Sequence, residues 1–202
     1  MTSTDDDVRT PWDRIDAWCG SRLRGTPVRA ASDMSRLRAL EAELATVLPS
    51  GVHDWWALER VGAGHWIPGA FAPVDLEEAL ETREIWLEVA EEEGPSFDAS
   101  GAPEPRFLPS LLPIALNPGG DGLVVDLRPG GSRGSVLLWD HETWVLGVEL
   151  WSSVAAMLRD IAAALETGTP ALLRHAGLGG TEQACVAVVD DDGDLAWETA
   201  DH

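Results

Sequence analysis

The chain has 202 residues, 45% of them hydrophobic, and a formal net charge of -21 from 14 basic and 35 acidic side chains. That length and apolar content suit one domain of moderate size with a real core and an appended element. So acidic a chain repels nucleic acid and anionic membrane, and attracts basic partners at long range.

Every basic residue is Arg, with no Lys anywhere, a usage typical of a GC-rich bacterial genome. The charge is uneven. Residues 9–38 hold seven Arg against Asp13, Asp16 and Asp33, whereas residues 75–98 hold ten acids and Arg83 alone. There are ten Trp and no Tyr, so several Trp are expected in the core. Cys19 and Cys185 lack metal-ligand spacing and read as reduced. The N-terminus is acidic, unlike a secretory leader, and no apolar run approaches the ~18 residues of a membrane span. A cytoplasmic protein is expected.

In chain order, residues 1–8 read as a disordered acidic tail. Thr10-Pro11 predicts the start of a helix carrying Trp12, Ile15, Trp18 and Cys19 on one face. Residues 24–31 read as a linker. Ser32 or Asp33 can cap a second helix with Leu37, Leu40, Leu44 and Val47 at helical spacing, stopped by Pro49. A short third helix from Ser50 to about Arg60 carries Val52, Trp55 and Trp56, one Trp for the core and one half-exposed. Residues 61–68 read as a turn. Asp75 and Glu78 fit a capping box for a fourth helix, ended by Gly94-Pro95. Residues 94–106 read as a loop.

Four strands are predicted at about 110–116, 122–127, 135–140 and 144–150. The glycine-rich turns between them are short, which favours antiparallel pairing. Ser152 or Ser153 then caps an amphipathic helix with Val154, Met157, Leu158, Ile161 and Leu165 on one face. Gly168 and Pro170 end it. Residues 184–198 suggest a hairpin turning at Asp192-Gly193. The order predicts an α+β fold, with a central, mostly antiparallel sheet flanked by N-terminal helices and a C-terminal helix. The division is a tail at 1–8, a domain at 9–168 and an extension at 169–202, a hairpin packed on the domain.

Catalytic signatures are weak. Asp190, Asp192 and Asp194 start like a calcium loop, but Leu195 replaces the glycine and Asp201 the final Glu. The five histidines are scattered and form no metal motif. His141 lies between Asp140 and Glu142, so an acid–base pair is conceivable, yet a surface turn is the simpler reading. No G-x-S-x-G elbow or phosphate-binding loop is present. No catalytic residue, metal or cofactor is expected. Trp139 reads as core, and Trp144 as an interface candidate.

Several pieces in fixed order resemble the SUKH superfamily of Smi/Knr-type proteins. They are Trp12, Ile15 and Trp18; Leu40-Glu41 and Leu44; Leu48-Pro49; and the helix from Trp55. Then come Leu112-Pro113-Ile114; Asp121 to Asp126; Gly134; Val136 to Trp139; Asp140-His141; and Trp151-Ser152. The resemblance covers about residues 12–166. VGAGHW stands where the family has a short Asn-Gly turn, and the acidic helix at 75–93 is long. The resemblance implies an α+β fold and a non-enzymatic, protein-binding role. Bacterial members look like immunity proteins against polymorphic toxins, many of them nucleases. Fungal members regulate cell-wall synthesis or act as signalling scaffolds, and a regulator or scaffold of that kind is the alternative reading of this chain. The expected partner is a basic toxin domain, bound by a monomer or weak dimer. The candidate contact residues are Glu77, Glu81, Glu84, Asp121, Asp126, Asp140, His141, Glu142 and Trp144.

Overall fold

The computed structural model describes residues 7–23, 28–29, 34–58, 60–61, 64–94, 96–97, 100–104, 106–172 and 184–200. Helix α1 spans Arg9–Arg22, β1 Val28–Arg29, α2 Met34–Glu43 and α3 Ser50–Ala57. Next come β2 at Arg60–Val61, β3 at Ala72–Pro73 and α4 at Leu76–Glu93. A small ladder of β4 (Ser96–Phe97) and β5 (Pro103–Glu104) leads to β6 at Leu111–Leu116. Then follow β7 at Gly122–Asp126, β8 at Val136–Asp140, β9 at Val145–Trp151 and α5 at Val154–Thr167. The hairpin of β10 (Cys185–Val189) and β11 (Leu195–Thr199) closes the chain.

The central sheet runs β3-β6-β7-β8-β9, with every neighbouring pair antiparallel. The predicted α+β class holds, and so do all four long strands to within about a residue. The sheet has a fifth strand, β3, too short to leave a periodic signal. Residues 94–106, expected as a plain loop, contain the β4–β5 ladder.

Both sheet faces are covered. Leu112, Ile114, Leu123, Val125 and Val136 join α1, α3 and α5 in the larger core. Leu111, Val124, Leu137 and Trp139 point the other way, onto Trp86, Leu87 and Ala90 of α4 and onto Phe107. This is the period-two alternation of strands. A bulge at Pro113–Ala115 breaks it, so Ile114 and Ala115 both reach the larger core.

The helix ends follow local chemistry. The Ser153 hydroxyl accepts from the Ala156 N–H at 3.0 Å, and the Asp75 carboxylate from the Glu78 N–H at 2.9 Å. Helix α1 starts earlier than the Thr10-Pro11 signal suggests. Asp7 Oδ1 accepts from the amides of Arg9 and Thr10, and Val8 is buried. Helix α2 stops at Glu43, because Ala45 turns at φ 49°. Val47, expected on the apolar stripe, is therefore 77% exposed. Trp55 and Trp56 are both fully buried, so neither is the half-exposed residue expected. The proposed caps Ser32 and Asp33, residues 1–6, and most of the 24–31 linker lie outside the described residues.

The β10–β11 hairpin packs Ala187, Leu195 and Trp197 against the core. The Trp197 indole N–H donates to the Trp66 carbonyl at 3.1 Å. Asp190 Oδ1 accepts from the amides of Asp192 and Asp194, so this carboxylate braces its own turn.

Gly122 has the least room of the described glycines. A Cβ there would lie 2.5 Å from the Trp86 ring. Gly122→Ala is expected to lower stability by roughly 1–3 kcal/mol, as overpacking does. Trp86→Leu in the same chain should recover part of that loss. Denaturant midpoints of the two variants check both.

Candidate functional site

In an antiparallel sheet of this order, the β6–β7 turn (117–121) and the β8–β9 turn (141–144) share one end. They are cross-braced there. Asp121 Oδ1 accepts from the His141 amide at 3.2 Å and lies 2.8 Å from His141 Nδ1. The Asn117 side chain holds the second Asp121 oxygen at 3.1 Å, and Asn117 Oδ1 accepts from the Asp121 amide. Gly120, at φ 101°, lets the chain pass beneath the His141 ring, 3.2 Å from where a Cβ would sit.

Burial pushes the Asp121 carboxyl up, but hydrogen bonds from His141 and Asn117 outweigh it, and its pKa falls below the ordinary value. The Asp121 hydrogen bond raises the His141 pKa, and the nearby charges of Asp121, Glu142 and Asp140 add to it against some desolvation.

The β8–β9 turn adds its own features. Asp140 Oδ1 accepts from the amides of Glu142 and Thr143, both at 2.9 Å. Glu142 is exposed. Trp144 is half-buried, sits at φ 59°, and meets the buried Trp139 edge-on at 5.7 Å. Trp139 is core, as its pattern predicts.

The other carboxylate candidates separate from this end. Glu77, Glu81 and Glu84 are exposed on α4, one turn apart. Glu77 pairs with Arg36 of α2, and the charges of Glu84 and Glu81 also act on that guanidinium. Asp126 is a correction to the surface reading, because it is fully buried. Its carboxylate takes Arg128 Nε and Nη2 at 2.7–3.0 Å and the Arg128 amide at 2.9 Å. It pins the β7–β8 turn from inside and cannot face a partner.

Two polar residues carry more structure than their pattern suggests. Arg83 is 4% exposed and donates to the Pro109 carbonyl and to Glu43, tying α4 to α2 and to the lead-in of β6. Its signal is faint: one cation on the helix face of Ala79 and Leu80. A cleft of about 190 Å³ lies beside it, where Arg36, Glu43 and Glu84 meet. Glu41 Oε1 accepts from the Leu48 amide at 2.8 Å and lies 3.0 Å from His53 Nε2, closing the turn between α2 and α3.

Ligand atoms of Asp121, Asp140 and His141 lie within 4.8 Å of one another. Both Asp121 oxygens and one Asp140 oxygen are already spent on the turns, which suits a brace better than an open metal shell. Among the described residues the His141 ring is hydrogen-bonded to Asp121 through Nδ1. Burial pushes the Cys19 thiol up to about 11, which keeps it protonated. No helix among the described residues is long and apolar enough to cross a membrane.

A helix-flanked antiparallel sheet whose ends are closed by hydrogen-bonded turns defines an α+β domain. The family model described as SMI1 / KNR4 family (SUKH-1) matches residues 33–160, and the chain belongs to that family. No curated protein matches the chain.

Asp126→Ala removes the buried carboxylate that holds the Arg128 guanidinium and amide and is expected to cost roughly 1.5–3 kcal/mol, read from the denaturation midpoint. The brace has a pH signature. Asp121 stabilises the fold above its ordinary carboxyl pKa, and that contribution is lost as pH falls through its lowered folded value. His141 stabilises below its unfolded pKa of about 6.5, and that part is lost as pH rises through its raised folded value. NMR titration of Asp121→Asn should show the His141 midpoint moving down.

Proposed function

We propose that this protein is an immunity protein that neutralises a basic toxin by covering its substrate cleft. It works by binding rather than turnover, in the cytoplasm where such a toxin meets its target. A nuclease is the toxin class that fits best, because its cleft is built to hold phosphates and an acidic surface can stand in for them. The observation that carries this reading is where the charge sits. Every carboxylate of α4 from Glu77 to Glu93 is exposed, and the exposed Glu142 with the half-buried Asp121 and Asp140 adds to them at the braced turns. Membership of the SUKH-1 family is consistent with a protein-binding role.

A toxin gene directly beside this one would favour the reading and a lone locus would count against it; the test is inhibition of such a neighbouring toxin domain. One equivalent of this protein should abolish its activity on nucleic acid. The association rate should fall about ten-fold or more on moving from low to high salt, as electrostatic steering requires. Full toxin activity in the presence of excess protein would sink the reading. So would turnover of a substrate by this chain alone.

A further inference from the structure

We propose that the β10–β11 hairpin is a strap that lifts from the domain as a unit, held down by Trp197 and pushed outward by the carboxylates at its tip. The hairpin lies beyond the stretch 33–160 that the family model matches. Within itself it is regular. Its five residue pairs run in unbroken register, and Asp190 Oδ1 closes the turn on the amides of Asp192 and Asp194. Its base is fixed. Ala171 and Ala184 are buried, and Ala171 and Cys185 exchange backbone hydrogen bonds of 2.8 and 3.0 Å.

Beyond the base the hold is slight. Every residue of β7 is buried, whereas no residue of β10 or β11 is. Ala187, Leu195 and Trp197 reach the larger core, each only partly buried. The Trp197 indole N–H adds one hydrogen bond, to the Trp66 carbonyl at 3.1 Å. A two-stranded hairpin is marginal alone and depends on such packing. Elements with few buried contacts open at a lower free energy than the whole domain. Charge works in the same direction. Residues 184–200 carry Asp190, Asp191, Asp192, Asp194 and Glu198, all exposed, and no basic residue, in a chain of net charge -21. Like charge drives the tip away while Trp197 retains it, so neutralising the tip favours closure. Lifting the strap brings Trp66 to water. That residue is 4% exposed in the closed form, and its ring lies 5.6 Å from that of Trp12. The open form presents an aromatic surface that the closed form hides.

Amide hydrogen exchange on the full chain tests this. The hydrogen-bonded amides of β10 and β11 are expected to exchange as a group, with protection at least about ten-fold below that of Leu123, Val124 and Val125 in β7. Trp197→Ala should lower the hairpin's protection about ten-fold or more. The double variant Asp191→Asn, Asp192→Asn leaves the Asp190 brace in place and should raise it about three-fold. Hairpin protection within about ten-fold of β7 would overturn the proposal, as would a fall in protection on neutralising the tip. A Trp197→Ala chain that fails to fold would overturn it too, because the hairpin would then belong to the cooperative core.

Discussion

Everything in this molecule answers to a sheet buried on both faces. Each long strand sends alternate side chains into two separate cores, one shared with α1, α3 and α5, the other with α4 and Phe107. Burial of this extent is the dominant favourable contribution to folding. It also dictates where polar groups can go. A chain with 35 acidic residues must place them at the sheet ends, on outward helix faces and in the loops. Among the described residues Asp126 is the exception, and its carboxylate is met by the Arg128 guanidinium and amide.

The same constraint explains the polar members of the family pattern. Asp121 and Asp126 begin and end the run GLVVD and its preceding turn. One braces the β6–β7 turn to the β8–β9 turn, and the other pins the β7–β8 turn. Glu41 closes the turn from α2 to α3. Trp151 donates its indole N–H to Asp160, whose carboxylate also accepts from the Leu172 amide beyond α5. These groups complete backbone hydrogen bonding where regular structure ends.

Much of the fold was legible because its signals are local. Period-two runs marked β6 to β9, period 3.6 marked α5, and Ser153 and Asp75 stood where helix caps belong. Where pairing is distant, the signal vanished. The two residues of β3 make a strand only because β6 lies beside them some forty residues on. Val47 fitted a helical stripe, yet the chain had already turned at Ala45. The candidate site was legible in part. The turn residues were named from composition, but nothing in the local pattern separated the buried Asp126 from its exposed neighbours.

The amino-acid sequence by itself determined the class of fold, the order and bounds of the main strands and helices, and the strongly acidic character. These depend on periodicity, capping and composition, which are properties of neighbouring residues. Only the tertiary structure decided that Asp121 and His141 meet across twenty residues, that Arg83 is interior, and that Arg36 of α2 pairs with Glu77 of α4. Those outcomes depend on which distant surfaces the sheet topology brings together, and no local pattern encodes that distance.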